Sequence, residues 1–453
     1  MSNNEFLETE SVGKLLFKLS VPTVTAALIN MLYNLVDRIY IGHIKDVGAL
    51  ALTGVGLCFP IILLVAAFAC FVASGGASRA SIELGKKNIK RAEEIAGTSF
   101  LLQIIISITL TIILLLFGEP LLWLFGASEN TITYATSYMN IYVLGTIFVE
   151  LTLGMNAFIS AQGNTKVSML SVLIGALTNI ALDPLFIFGF GLGVRGAALA
   201  TVISQAISTI WIMYFLTSKK TVIRLRKENI KLDKSIIKPV IALGSASFVM
   251  QASESIINIC YNSSLLKYGG DIAVGTMTIL SSINQFVLIP LQGIGQGAQP
   301  IISYNYGADH KERVKSAYFA LLKSSLFFTM VVALSAIIFP SFFVSLFTND
   351  PELCAYASNM LRIFLLAMPL FGFQMAAQMT FTSIGYAKNA ILVACMRKFI
   401  LIIPLIYILP ALMPSNRVLA VFLSEPISDI ISIIFASTLF FFSFRKALKG
   451  MKN

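Results

Sequence analysis

The sequence has few charged residues for its length. Only 12% of its 453 residues are Asp, Glu, Lys or Arg, and 57% are apolar, whereas soluble proteins carry about 25% charged residues. A water-soluble chain of this length could not bury so much apolar surface in its cores. The shortage of charge therefore excludes a soluble multidomain enzyme and predicts a polytopic membrane protein.

Residues that bind metals or perform nucleophilic chemistry are also scarce. The sequence has two histidines, and its five cysteines form no CxxC pair or disulfide-like spacing, which is typical of cysteines that serve as small apolar residues. It contains no GxxxxGK[ST] loop and no HxxxxD motif, so we disfavour an ATP-driven pump and an intramembrane enzyme. We expect no cofactor. The first fourteen residues lack the features of a cleavable signal peptide, so the first apolar segment is expected to direct insertion itself.

Long apolar runs fill most of the chain. A helix needs about 20 mainly apolar residues to cross a bilayer. Runs of this kind predict twelve transmembrane helices, at approximately 15–41, 47–74, 95–117, 132–158, 167–190, 196–217, 239–266, 272–306, 317–347, 353–383, 389–412 and 418–444. A β-barrel would instead show alternating stretches of about ten residues. The predicted fold class is therefore an all-α membrane protein.

Basic residues are concentrated on one side of these helices. The N-terminus, the even-to-odd connections and the C-terminal tail hold 23 Lys and Arg residues, whereas the opposite side holds four. The positive-inside rule then predicts that both termini are cytoplasmic. The net charge of +11 is explained by membrane orientation, so the expected partner is the lipid bilayer and not nucleic acid.

The two halves of the chain repeat each other at an offset of 222 residues. Residues 124–144 match 346–366, and Gly163 and Lys166 fall on Gly385 and Lys388. The only long polar stretch divides the halves, which predicts an N-lobe at 1–217, a cytoplasmic linker at 218–238 and a C-lobe at 239–453. Six helices per half give both lobes the same topology, as in transporters with parallel repeats and a substrate cavity near the midplane. Channels and membrane enzymes can arise by the same duplication.

A few acidic residues lie inside the predicted spans, where ionisable groups are costly and often functional. Asp183 follows Asn179 by four residues and so shares its helix face. Asp37, Asp183 and Thr201 are predicted at a similar depth in the N-lobe. Their oxygen atoms could bind a cation such as Na⁺ or carry a proton. Asp37 could instead pair with the adjacent Arg38.

The repeat makes this candidate site asymmetric. At the offset of 222, Asn179 falls on Leu401 and Asp183 falls on Leu405. A purely architectural pair should have been retained in both halves. We therefore expect the ion site to belong to the N-lobe alone.

Other polar and soft side chains could line a substrate cavity. Helix–helix hydrogen bonding is the alternative for the amides, and simple packing is the alternative for the methionine. Packing against Gln or Ser neighbours is the alternative for Glu254. The candidate cavity residues are Glu150, Glu254, Gln285, Gln292, Gln374, Gln378 and Met375. Glu425 and Asp429 are expected to form structural ion pairs with Arg397 and Lys398.

Several motifs along the chain resemble the multidrug and toxic compound extrusion (MATE) family of secondary transporters. The resemblance covers essentially the whole chain and is most specific in the last of these motifs: MLYNLVDRIYIG (31–42), GGASRASIELGKKNIKRA (75–92), AQGNTK (161–166), NIALDPLFIFGFGLGVRGAALAT (179–201) and PLQGIGQGAQPIISYNYGA (290–308). It implies a two-lobe, twelve-helix transporter of the cell membrane that alternates between inward- and outward-facing states. It also implies export of organic cations and amphiphilic drugs in exchange for H⁺ or Na⁺. A monomer is expected.

The resemblance also assigns roles to individual residues. By motif position, Asp37, Asn179, Asp183 and Thr201 correspond to the N-lobe cation site, and Pro22 corresponds to a proline at which the first helix bends. Glu254 matches an acid in a branch of the family that has an ion site in the C-lobe. The second acid of that branch, an aspartate on the tenth predicted helix, is missing here. This departure favours coupling in the N-lobe. A flippase for a lipid-linked precursor is the alternative function, and it would favour a cationic cavity.

Overall fold

The computed structural model describes residues 5–348 and 350–451, without the side chain of Ala49. These residues are helical almost throughout and contain no strand. Their helices are α1 (Phe6–Thr9), α2 (Val12–Gly42), α3 (Gly48–Gly85), α4 (Ile89–Leu124), α5 (Ile132–Leu144), α6 (Thr146–Ala161), α7 (Thr165–Pro184), α8 (Val194–Thr217), α9 (Lys234–Gly307), α10 (Lys311–Ile338), α11 (Pro340–Ser345), α12 (Pro351–Phe364), α13 (Phe371–Ser383), α14 (Ala387–Cys395), α15 (Ile403–Leu412) and α16 (Arg417–Lys449).

The long helices account for the apolar composition. Within the described chain, nine helices are long and apolar enough to cross a membrane, and two bent helix pairs pass the same test together. Helix α9 consists of two helices joined at Gly270, where the backbone is not helical and φ is 63°. This break falls between the predicted spans 239–266 and 272–306. The predicted all-helical, multi-pass fold is confirmed, whereas the count of twelve spans and the cytoplasmic termini stay predictions.

The described chain packs as two compact units. The first unit comprises Thr25–Gly244 with the described residues before Glu10, and the second comprises Glu10–Val24 with the described residues from Ser245 onwards. The predicted lobes at 1–217 and 239–453, whose outermost residues lie outside the described chain, stay a prediction.

Each unit has its own apolar core. In the first unit, Cys58, Val65 and Tyr138 belong to a cluster of buried residues. In the second, Tyr261 and Phe422 belong to another. Burial of this kind removes apolar surface from contact with water or lipid headgroups and fixes the helices that carry the polar side chains described below.

The polar linker is folded against the first unit. The Oε1 atom of Gln162, from the AQGNTK motif, accepts hydrogen bonds from the Thr221 hydroxyl and from the backbone N–H groups of Val222 and Ile223. An ion pair between Arg91 and Asp233 closes the other end of the linker, with 3.1 Å between Nη1 and Oδ2. The linker is therefore a packed segment of the first unit.

Candidate cation-binding site

Three helices of the first unit bring the predicted cation-site residues together. Asp37 lies on α2, Asn179 and Asp183 lie on α7, and Thr201 lies on α8. The Asp37 carboxyl contacts the Asp183 carboxyl closely enough for one group to donate a proton to the other. Asp37 is 8% exposed and Asp183 is completely buried. The structure thus joins two acids that are 146 residues apart in the sequence.

The end of α7 positions Asp183. The Asn179 side-chain amide donates to Asp183 Oδ1 at 3.3 Å, across one helical turn. Pro184 ends α7 and is followed by a π-helical turn over Leu185–Gly189. Proline lacks a backbone N–H and disturbs the regular helical ladder, and π-helical turns often occur at functional sites. The carboxyl is therefore held at a point where the helix changes its geometry.

Three buried oxygen atoms at this site have no hydrogen-bond donor in the described part of the chain. No described residue donates to Asp37 Oδ1, Asn179 Oδ1 or Asp183 Oδ2, although all three atoms are buried. Two carboxylates in contact cannot both remain ionised unless a cation lies between or beside them. The arrangement can therefore hold a shared proton or a monovalent cation.

The oxygen ligands for a metal cation would come from different residue types. Within residues 5–348 and 350–451, no group of three or more His, Cys, Asp or Glu residues could hold a metal ion. A bound Na⁺ would therefore also need the oxygen atoms of Asn179 and Thr201. These neutral oxygens are ligands of the kind that hard cations accept.

Two tyrosines that the sequence analysis did not single out lie at the site. Tyr138 on α5 interacts with the Thr201 hydroxyl and with Asp37. Tyr33 interacts with Asp37 from one turn earlier on the same helix. The spacing of Tyr33 and Asp37 could have indicated a shared helix face. No comparable signal was available for Tyr138, because its approach depends on tertiary packing.

Arg38 does not form an ion pair with Asp37 among the described residues. Its guanidinium lies over the Phe59 ring, 4.9 Å from the centroid. This cation–π contact stabilises the position of the Arg38 guanidinium, while the Asp37 carboxyl lies beside Asp183. The alternative interpretation of Asp37 as the partner of Arg38 is therefore not supported by a direct contact.

The acidic residues of the second unit have basic partners. The Arg397 guanidinium bonds to Glu425 at 2.7 Å and to Asp429 at 2.6 Å. Lys398 forms an ion pair with Glu254. The expected ion pairs of Glu425 and Asp429 with Arg397 are present, whereas Lys398 pairs with Glu254 instead. Glu254, a candidate cavity residue, is engaged in the same cluster of charges.

The remaining candidate residues have different environments. Gln374, Gln378 and Met375 are buried in the second unit, where Gln374 accepts a hydrogen bond from Ser432 and Gln378 contacts the sulfur of Met250. Gln285 and Gln292 are exposed. Glu150 is completely buried within the first unit. The assignment of these residues to a substrate cavity stays a prediction.

Pro22 lies inside α2 and is buried. The next residue, Thr23, donates its hydroxyl to the Gly293 carbonyl at 2.6 Å, within the second unit. A proline inside a helix removes one backbone hydrogen bond and favours a bend at that position. The predicted bend at Pro22 stays a prediction.

The fold and the site together define a class of protein. Many apolar helices, an internal repeat and a pair of acids buried within membrane-spanning segments are features of a multi-pass membrane transporter. The MatE family model matches residues 22–185 and 246–408. The chain belongs to this family.

Curated relatives include two multidrug export proteins named MepA. The protein from Staphylococcus haemolyticus (strain JCSC1435) is 25% identical over 407 residues, covering 90% of this chain and 89% of the relative. The protein from Staphylococcus aureus (strain MSSA476) is 24% identical with the same coverage.

Solved structures share the fold over nearly the whole length. A MATE crystal structure in the straight conformation superposes with a TM-score of 0.91 at 24% identity and covers 100% of both chains. A MATE crystal structure in the bent conformation gives a TM-score of 0.93 at 24% identity and covers 99% of both chains. These matches confirm the predicted MATE-like fold.

Proposed function

We propose that this chain is a secondary active transporter that exports cationic or amphiphilic drugs in exchange for H⁺ or Na⁺. Family membership and the MepA multidrug export proteins support the transport of drugs. The cell membrane is the site of action, because the chain is multi-pass and its relatives are export proteins. Ion coupling would supply the free energy for export by alternating access.

The contact between Asp37 and Asp183 is the observation that carries the proposal. Binding one H⁺ or Na⁺ there would neutralise a negative charge inside the membrane, where an unpaired charge is costly. A conformation that separates the two carboxyls would release the cation. Asn179 and Thr201 would supply further oxygen ligands, and a bend at Pro22 would accompany the change.

Of the two ions, H⁺ is favoured by direct contact between the carboxyls. A proton can be shared between two oxygen atoms in contact, whereas Na⁺ must enter among several oxygen ligands. Glu254, Gln285, Gln292, Gln374, Gln378 and Met375 are proposed to contact the drug. Side chains of these kinds suit loose binding of varied amphiphilic molecules.

Ethidium efflux from membrane vesicles tests this function. The full chain is placed in vesicles, and a pH gradient and a Na⁺ gradient are imposed separately at zero membrane potential. We expect the pH gradient to drive ethidium transport. Transport driven by Na⁺ alone would support antiport with the other ion, and transport indifferent to both gradients would contradict the proposal.

A further inference from the structure

Glu150 is an acid in the first unit that the proposed site does not use. It lies on α6 and is completely buried. Neither of its carboxyl oxygens has a hydrogen-bond partner among the described residues. A charged carboxylate in such surroundings is strongly disfavoured, so the side chain is suited to hold a proton.

A polar helix face connects Glu150 with the candidate cation site. Tyr138, Tyr142, Thr146 and Glu150 follow one another at intervals of four residues along α5 and α6, and all four are buried. At this spacing Tyr138 and Tyr142 share a face of α5, and Thr146 and Glu150 share a face of α6. The bend of 55° between the two helices falls within the series, at Gly145. These four side chains form a file of hydroxyl and carboxyl groups that crosses the bend.

Interactions of the two tyrosines involve Asp37 at one end of this file and Glu150 at the other. Tyr138 interacts with Thr201 and Asp37, as described above. The rings of Tyr138 and Tyr142 stack with 6.1 Å between their centroids. Tyr142 in turn lies close enough to Glu150 to interact with its charge. The hydroxyl of Thr146, on the turn before Glu150, is buried without a hydrogen-bond partner among the described residues.

Among the described residues, no basic group compensates the charge of Glu150. The titratable groups that interact with it are Cys70 on α3 and Tyr142 on α5. From α4, α7 and α8, which also pack on α6, no described ionisable side chain pairs with it. A glutamate kept only for structure would normally have a cation or hydrogen-bond donors as partners.

We propose that Glu150 is a second proton-binding residue of the first unit, which exchanges a proton with the Asp37–Asp183 pair along the file of Tyr138, Tyr142 and Thr146. This inference rests on the proposed function with H⁺ as the coupling ion. In the transfer, an O–H bond breaks at the acid pair and one forms at the Glu150 carboxylate. The pair gains one negative charge and Glu150 becomes neutral, so the total charge is conserved.

The site at Glu150 suits a proton and not a metal ion. One carboxyl and the Thr146 hydroxyl provide few oxygen atoms to replace the hydration shell of Na⁺, which needs several oxygen ligands. Hydroxyl groups can both accept and donate a hydrogen bond, so tyrosine and threonine side chains can pass a proton onwards. By binding a proton and not Na⁺, Glu150 would make transport dependent on H⁺.

Ethidium transport by the variant Glu150→Gln tests the inference, because glutamine preserves the size of the side chain but cannot carry the proton. Two readouts are taken in proteoliposomes: ethidium exchange at equal pH, and ethidium transport driven by a pH gradient. We expect ethidium exchange to be retained and gradient-driven transport to fall about a hundredfold. This is the lower end of the rate loss expected when a positioned proton-transfer group is removed. Glu119→Gln, an exposed glutamate on α4, is the matched control and should leave both rates unchanged.

The outcomes distinguish this inference from the proposed function. Wild-type transport that does not respond to the pH gradient would overturn both the H⁺ premise and the role of Glu150. A wild-type response that Glu150→Gln leaves intact would overturn the role of Glu150 alone. If the glutamine variant does not fold, Glu150→Asp is measured instead. It keeps an acid but moves it, so an unchanged pH dependence of exchange would contradict the inference and a shifted one would support it.

Discussion

Arg397 illustrates how single residues hold charges inside the second unit. Its guanidinium bonds to both Glu425 and Asp429, which lie four residues apart on α16. The Tyr261 hydroxyl donates to the other oxygen of Glu425 at 2.8 Å. The centroid of the Phe371 ring lies 4.9 Å from the guanidinium carbon of Arg397. A planar guanidinium can satisfy two carboxylates at once. Each partner therefore depends on the presence of the arginine.

Arg397→Ala should lower the free energy of unfolding by about 3–5 kcal/mol, because it leaves two buried carboxylates without their cation. Arg445→Ala is the control. Arg445 contacts the Phe441 ring at 4.9 Å, and a contact of this kind contributes about 0.5–1 kcal/mol when exposed. Denaturant unfolding of both purified variants in the same detergent measures the difference. Equal losses of stability would contradict the account of the charge cluster.

At the residue scale, the sequence predicts partners that are close together along one helix better than partners that are far apart. The shared face of Glu425 and Asp429 follows from their spacing, and so does the proximity of Asn179 and Asp183. The pairing of Glu254 with Lys398 spans 144 residues and depends on the packing of two separate helices. The position of Tyr138 could not be predicted for the same reason.

At the scale of helices, the repeat reappears as equivalent close contacts. A Cβ added at Gly75 would lie 2.1 Å from the Val240 carbonyl oxygen in the first unit, and one added at Gly297 would lie 2.5 Å from the Ser20 Cα atom in the second. Gly75 and Gly297 are separated by the repeat offset of 222 residues. Small residues allow helix backbones in membranes to approach closely. Each unit therefore uses a glycine at the same point of the repeat.

Gly244→Ala tests this close packing within the first unit. The added methyl group would lie 1.6 Å from the Phe71 carbonyl oxygen, so the helices must separate, and the expected loss of stability is about 1–3 kcal/mol. Gly56→Ala is the matched control, because no atom lies within 4 Å of its added Cβ. The thermal midpoints of the two variants in detergent give the comparison. A Gly244→Ala protein as stable as Gly56→Ala would show that the contact is not tight.

The linker provides a prediction about pH outside the membrane. Hydrogen bonds from the Ser235 hydroxyl and backbone N–H, together with Arg91, lower the pKa of Asp233 from 3.8 to about 2. A lowered pKa in the folded state contributes stability above the unfolded value, and this contribution is lost as pH falls through the folded value. Docking of the linker should therefore weaken between about pH 4 and pH 2.

Hydrogen exchange of the linker amides checks this prediction. Wild-type protein should lose protection over that acid range, whereas Asp233→Asn should be less protected already at neutral pH and should lack this part of the acid transition. Equal protection in wild type and Asp233→Asn at neutral pH would show that the ion pair does not hold the linker. Asp350→Asn, which changes the exposed aspartate that caps α12, serves as the control outside the linker.

Apolar runs predict the positions of helices but not all of their interruptions. The run at 132–158 is bent by 55° between α5 and α6, and the run at 353–383 is bent by 42° between α12 and the helical segment from Met368. Hydropathy does not detect such bends because apolar residues predominate on both sides of each break. The π-helical turn after Pro184 is indicated by the proline alone.

At the scale of the whole chain, the two repeats share their helices and differ in their charges. The positions of Arg397 and Lys398 correspond to Gly175 and Ala176 in the first repeat, and those of Glu425 and Asp429 correspond to isoleucines. The buried acids of the second unit are therefore matched by bases, whereas Asp37, Asp183 and Glu150 of the first unit have no ion-pair partner among the described residues. The sequence predicted a cation site in the first half alone because Asn179 and Asp183 fall on Leu401 and Leu405 of the second half.

Ethidium efflux by Asp183→Asn, compared with wild type at equal expression, tests the central claim most directly. Asparagine keeps the shape of the side chain but removes the charge and the acidic proton, so the pair with Asp37 can no longer exchange a cation. We expect normal insertion and expression, with gradient-driven efflux abolished. Efflux at the wild-type rate in Asp183→Asn would contradict the assignment of the Asp37–Asp183 pair as the coupling site.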